Sequence, residues 1–328
     1  MTLSTSAVAL EARDLHFSYK AAPKKRGART SQAAASSEVL KGLSFQVAFG
    51  RITGLLGPNG SGKSTSFKIL STQLLPSRGE AFVCGQSVAT HAAEARASLG
   101  VTFQSPSLDP MLTIEENLEV HAALMGLSKS DAATRIEKRL KELSIWDRRD
   151  SRVKELSGGL ARRAELAKTL LADPKVLLLD EPTTGLDPSS RREFWRLLRS
   201  LVSPGTAILV TTHLMEEAEM CDELLFISEG NVAARGTPES LKLEFGAEVL
   251  LLEGSDVASL CEKVAKFLGA EAQVSVQGPA LRVEGAHIAL RLEALRGELG
   301  DALSGFHWSR GTLADIYLRK TGKELVNL

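Results

Sequence analysis

The chain has 328 residues, with 40 Lys and Arg balanced by 40 Asp and Glu, so its formal net charge is zero. Hydrophobic residues make up 43% and charged residues 24%, a mix that builds an ordinary globular core and excludes global disorder. The neutral balance offers no basic footprint for nucleic acid, and Cys84, Cys221 and Cys261, three and far apart, cannot all pair, the simple reading being reduced thiols in the cytosol.

The opening MTLSTSAVALEARD has neither the charged n-region nor the apolar h-region of a secretion signal. From Ala9 to Tyr19 partial alternation predicts a strand at a sheet edge. Lys20 to Ser37 is small and basic, without helical or strand period, and reads as a flexible insertion. Its five cations form a solvated loop on this reading, or else contact anionic headgroups or a partner. LKGLSFQVAFG and RITGLLG predict two strands, the second entering a glycine-rich turn. STSFKILSTQLL is helical and stopped by Pro76. Thr113 to Arg149 is helical, with Thr113 and Glu116 spaced as a capping box.

KVLLLD and AILVTT return as strands after helical stretches. Alternation of this kind predicts a mostly parallel sheet with crossover helices. Beyond about Leu241 the order becomes β-α-β-β-α-β: EVLLLE, ASLCEKVAKFL, AQVSVQG, ALRVEG, IALRLEALRGEL and FHWSR. This is a split βαβ, ferredoxin-like pattern. TLADIYLRK closes it as a helix capped by Thr312 and Asp315 and ended at Gly322. The longest apolar runs, such as Val176–Leu179, are far short of the roughly 18 residues of a membrane span.

The chemistry-bearing string is GPNGSGKS, Gly57 to Ser64, which fits G-x-x-x-x-G-K-[ST] between a strand and a helix. Gly57, Asn59, Gly60, Ser61 and Gly62 form a loop whose backbone N–H groups can curl round phosphates. The following helix, entered through Lys63, Ser64 and Thr65, aims its positive end at them. Lys63 reaches the β and γ phosphates and the Ser64 hydroxyl ligates Mg²⁺ on this reading. Asp180 and Glu181 end the apolar strand KVLLLDE. There Asp180 suits the magnesium side, through water, and Glu181 suits orienting or deprotonating an attacking water.

LSGGL, Leu156 to Leu160, followed by a helix starting ARRAELAKTLL, resembles the signature motif of the ATP-binding-cassette (ABC) ATPases. Gln104 in VTFQSPSLDP is similar to that family's Q-loop glutamine, a magnesium ligand. Gly185-Leu186-Asp187 is similar to its D-loop, with Asp187 at the nucleotide, and His213 in TTHLMEEAE to its switch histidine. Tyr19 is placed like the aromatic that stacks on adenine, although a packing role fits it equally. The resemblance covers about Leu10 to Pro238. Leu160 stands where the family often has Gln, and the insertion after Tyr19 is longer than usual.

The resemblance implies a P-loop NTPase cassette at residues 1–240, with a mixed α/β sheet core and a helical subdomain at about 105–155. A small α+β accessory domain would follow at 241–328. ATP and Mg²⁺ are the implied cofactors. In the family each ATP lies between the P-loop of one cassette and the signature of another, so Ser157, Gly158 and Gly159 would meet ATP held by a second copy. A separate integral membrane permease is the implied partner, docking near Ser105 to Glu155 from the cytoplasmic face. The tail TLADIYLRKTGKEL looks like the exporter branch. An importer subunit and a soluble regulatory or assembly ATPase are the alternative readings.

Overall fold

The structure is a computed structural model that describes residues 7–19, 38–203, 205–246, 248–254, 256–269, 272–286 and 288–322. The predicted insertion at 20–37 lies outside these residues. The chain divides into two units, one ending at Arg235 and one beginning at Gly236.

In the first unit, β1 (Val8–Ser18), β2 (Glu38–Ala48) and β3 (Ile52–Leu56) precede α1 (Lys63–Leu70). Next come β4 (Arg78–Val83), β5 (Gln86–Ser87), α2 (Ala92–Ala97) and β6 (Leu99–Thr102). The helices α3 (Ile114–Leu124), α4 (Lys129–Glu142) and α5 (Gly158–Leu170) lead into β7 (Val176–Asp180). Then follow α6 (Pro188–Leu201), β8 (Ala207–Thr212), α7 (Met215–Ala218), β9 (Glu223–Ser228) and β10 (Asn231–Gly236).

Two sheets organise this unit. One is four-stranded, in the order β2-β1-β4-β5, and the other six-stranded, in the order β10-β9-β3-β8-β7-β6. In the second, β9, β3, β8, β7 and β6 run parallel. Such strands are buried on both faces, which explains their continuous apolar runs. All of β3 and β8 and the first four residues of β7 are buried. Burying each of Leu177, Leu178 and Leu179 contributes roughly 1.5–3 kcal/mol.

The strand from Ala9 is not at an edge, because β1 pairs with β2 on one side and β4 on the other. Its buried Leu10, Ala12 and Leu15 face the core, whereas Glu11 and Arg13 pair in the open. The partial alternation thus reported one wetted face, not a free edge. The helix after the glycine turn stops at Leu70, short of Leu75, with Thr72 at a left-handed φ of 63°. Thr113 and Glu116 form the predicted capping box.

The second unit holds α8 (Pro238–Phe245), β11 (Glu248–Glu253), α9 (Val257–Leu268), β12 (Ala272–Gln277) and β13 (Ala280–Gly285). It ends with α10 (Leu292–Leu299), β14 (Gly305–Arg310) and α11 (Leu313–Thr321). Its antiparallel sheet has the order β12-β13-β11-β14, so the first and third strands lie side by side at the centre, the split βαβ arrangement. Leu250, Leu252, Leu260, Val264, Leu281, Val283 and Leu295 form its core. The stretch IALRLEALRGEL is not one helix: a 3₁₀ turn at Ile288–Arg291 precedes α10.

Asp315 is the polar keystone of this unit. One carboxylate oxygen accepts from the buried Arg282 guanidinium at 2.5 Å, and the other accepts from Thr312 N–H at 2.6 Å, closing the α11 cap. Removing it takes from a buried cation one of its two carboxylate partners, Glu284 being the other, and opens a helix end. Asp315→Ala is expected to cost about 3 kcal/mol in urea denaturation of this unit. Asp315→Asn, which keeps a cap acceptor, should cost less, and equal losses for the two would contradict this account.

Candidate functional site

Order in the parallel sheet gathers the predicted residues at one edge. The loop after β3, the end of β8, the end of β7 and the residues after β6 follow one another across neighbouring strands at their C-terminal ends, where open α/β sheets bind ligands. The loop after β3 is shaped by close approach. A methyl at Gly57 would fall 2.5 Å from the Ile227 carbonyl oxygen. Gly62, the N-cap of α1, sits at φ 111° and leaves no room for a side chain beside Leu40. Asn59 and Gly60 are exposed at the tip, and Ser64 is exposed on the first turn of α1. Gly230, in the turn between β9 and β10, donates its N–H to the Ser61 carbonyl at 2.9 Å and braces the loop from outside.

Lys63 is buried and folds back on its own loop, donating to the Gly57 carbonyl at 2.5 Å and the Pro58 carbonyl at 3.1 Å. Burial pushes its ammonium below the usual lysine range, while Glu181 and Asp180 nearby oppose that shift. The Ser61 hydroxyl is buried without a hydrogen-bond partner. A buried cation and an orphaned hydroxyl in a glycine cradle are what a polyphosphate would satisfy.

Asp180 accepts from the Thr211 hydroxyl at 2.5 Å. Burial raises its carboxyl above the usual range; the Thr211 bond opposes this and the charge of Glu181 adds to it. Glu181 is the one that gathers partners. Its Oε1 lies 3.1 Å from His213 Nδ1, and its Oε2 accepts from Gln104 Nε2 at 3.3 Å and Thr184 Oγ1 at 3.2 Å. An ionised carboxylate only accepts, so the His213 proton sits on Nδ1. The Glu181 backbone is held at a left-handed φ of 44°, and its N–H donates to Thr211 Oγ1 at 2.9 Å. A non-glycine residue in that region stores strain of order 1–3 kcal/mol, and it turns this side chain toward Gln104 and His213.

Tyr19 is 45% exposed, edge-on to Phe17, and its hydroxyl lies 3.3 Å from Thr65 Oγ1 on α1. Ser157 is the exposed N-cap of α5, so the helix begins at Gly158, inside the signature, and not at Ala161. Gly158 approaches Leu186, and a methyl at Gly159 would meet Ser190 Oγ at 2.9 Å, so both glycines let α5 lie close to the start of α6. Asp187 caps α6 through Ser189 and Ser190 N–H, and its carboxyl is lowered first by the Ser190 side chain and then by those backbone bonds. Among the described residues, no hydrogen bond or ion pair joins Ser157–Gly159 to Lys63, Glu181 or His213.

Sequence reading missed Thr211, which ties the Asp180 carboxylate and the Glu181 backbone to β8, and Glu217. Glu217 is buried and accepts from Thr183 and from Thr212, fixing the chain just after Glu181 and just before His213. Two threonines ending the otherwise apolar AILVTT were the available signal for Thr211. Glu217 stands among three other acidic residues and had none.

A family model described as "ABC transporter" matches residues 40–184. A Nod factor export ATP-binding protein I from Burkholderia orbicola is 40% identical over 292 residues, spanning 88% of this chain and 93% of its own. This chain belongs to the ABC transporter family, as an ATP-binding subunit. A protein of the same name from Burkholderia thailandensis is 42% identical over 289 residues, again across 88% of this chain and 93% of its own. Among solved structures, cbiO1 from Clostridium perfringens, part of the ABC transporter complex cbiONQ, aligns with a TM-score of 0.63 at 28% identity. That alignment covers 73% of this chain and 92% of cbiO1. Among the described residues no helix is long and apolar enough to cross a membrane.

At neutral pH the ionised Asp180 carries a burial cost in the folded chain. A carboxyl raised by folding weakens the fold above its unfolded pKa, and the cost disappears as pH falls through the raised value. Asp180→Asn, which keeps the Thr211 acceptor, is therefore expected to raise the melting temperature at pH 7 without nucleotide. A lowered melting temperature would contradict the assigned burial cost.

Proposed function

We propose that this chain binds and hydrolyses ATP with Mg²⁺ to drive export through a separate membrane protein. The observation that carries the reading is the Glu181 carboxylate, held between Gln104 and His213 beside the Lys63 loop. The loop amides and Lys63 grip the phosphates, and Tyr19 offers its exposed ring to adenine. Ser64, Asp180 and the Gln104 amide oxygen would hold Mg²⁺, Asp180 through water. An all-oxygen set with one carboxylate suits a cation that keeps waters and binds phosphates. Among the described residues no cluster of three or more His, Cys, Asp or Glu could hold a metal alone. When bound, the ion neutralises charge developing on the phosphate oxygens.

Glu181 orients the attacking water and accepts its proton. His213 donates from Nδ1 to Glu181 and so holds that carboxylate oxygen toward the reacting centre. Gln104 holds the opposite carboxylate oxygen and so ties its own loop to the reacting centre. The signature residues Ser157, Gly158 and Gly159 serve a second copy of the chain. What supports this is their place at the exposed, positive end of α5, without a bond to this chain's own Lys63, Glu181 or His213.

The first unit acts as the cassette and the second, which begins at Gly236 and so takes in the whole of α8 where the sequence placed the boundary at 240, as an accessory domain. Export is supported by the names of the relatives and by the tail of the chain. The permease docks from the cytoplasmic side on the segment 105–155. Exposed Met111, Val120, Leu124 and Met125 there, the last three on or just after α3, offer it an apolar surface.

Glu181→Gln is expected to lower ATP turnover by at least 10²-fold, the scale of a lost general base. Nucleotide binding should survive, and the ATP-bound chain should run as a dimer in size-exclusion chromatography. Turnover at the unmodified rate would refute the assigned base.

A further inference from the structure

Arg162 and Glu165 lie on one face of α5, 8% and 4% exposed, and bond to both loops that carry the site. The guanidinium donates from Nε to the Pro182 carbonyl at 2.5 Å and from Nη1 to the Phe103 carbonyl at 2.9 Å. Its Nη2 reaches the Asp180 and Glu181 carbonyls at 3.4 and 3.5 Å. Nη1 also pairs with Glu165 Oε2 at 2.5 Å. The other Glu165 oxygen accepts from Ser107 N–H at 2.7 Å, and Lys168, one turn further on, donates to the Ser107 carbonyl at 3.2 Å. One ion pair thus grips the chain on both sides of Gln104 and through Glu181 itself.

We propose that Arg162 and Glu165 form a buried latch that holds Gln104 in register with Glu181, which makes Arg162 a positioning residue for hydrolysis. The inference rests on Glu181 acting on the attacking water. Carbonyls past the ends of β6 and β7 have no ladder partner, and a buried one needs a donor. A planar fork of five N–H groups reaches carbonyls on two chain segments in fixed directions, whereas a lysine ammonium gathers its three N–H groups at one point. Glu165 balances the charge, so the pair acts through geometry. The Gln104–Glu181 bond is already long at 3.3 Å, and a displacement of about 1 Å at a reacting centre costs on the order of 10²-fold. Because α5 begins with the signature, the latch also joins that surface to the two loops as one mechanical piece.

The test uses the full chain, with single-turnover hydrolysis of Mg·ATP and equilibrium nucleotide binding measured side by side. Arg162→Lys is expected to slow hydrolysis at least about 10-fold while affinity stays within about twofold. Glu165→Gln keeps the acceptor for Ser107 and should be slowed less. Combined with Glu181→Gln, either substitution should slow the reaction no further, because the latch acts through that carboxylate. The combination with Glu165→Gln carries the test alone should Arg162→Lys not fold. Unmodified rates in both single variants, equal losses of rate and affinity, or effects that multiply in the combination would overturn the latch while leaving an inactive Glu181→Gln intact. A Glu181→Gln protein that hydrolyses normally would instead overturn the base assignment, and the latch with it.

Discussion

A strand buried on both faces that ends in two carboxylates is the constraint on which this molecule depends. Val176 to Leu179 hold β7 buried between β8 and β6. Asp180 and Glu181 follow at once, before the chain can reach water. Two adjacent anions in partial burial are costly. Thr211 offsets part of that cost by donating to Asp180 and accepting from the Glu181 N–H, and the Lys63 ammonium lies near both. A hydrophobic core is thereby used to fix charge, and the remaining cost is what a metal–nucleotide complex would relieve.

Around that point the polar groups are tied in a chain of local supports. Gly230 braces the glycine loop, Glu217 braces the segments after Glu181 and before His213, and Arg162 spans from β6 to β7. Arg191 of α6 pairs with Glu216 and Glu217 of α7, and Arg163 of α5 pairs with Glu193 of α6. The signature helix, the Asp187 helix and the His213 loop are therefore linked by side chains as well as by the sheet. Such links suit a family in which engagement of one surface must be felt at another.

The glycine loop and both capping boxes were legible because each depends on residues a few positions apart. Gly57 to Ser64 carries its geometry in its own glycines, and Thr113 with Glu116, or Thr312 with Asp315, close on themselves. The β-α-β-β-α-β order was legible from alternating periods alone. Contacts made across the fold were not. That Thr211 would stand beside Asp180 depends on β8 lying next to β7. That Arg162 would reach Phe103 and Pro182 depends on α5 crossing both strand ends. The misplacement of β1 at an edge has the same origin, since a strand with one wet face looks the same in sequence whether it has one neighbour or two. Gly159 shows a further limit: within the signature string, its tight fit against Ser190 gives it a packing duty that no motif discloses.

The account stands most directly on nucleotide affinity measured by calorimetry for the unmodified chain and for Lys63→Ala, each with and without Mg²⁺. It predicts about one ATP per chain in the unmodified protein, weaker binding when the ion is chelated, and a loss of at least about tenfold in affinity for Lys63→Ala. Equal affinity in the two proteins, or binding indifferent to the ion, would contradict it.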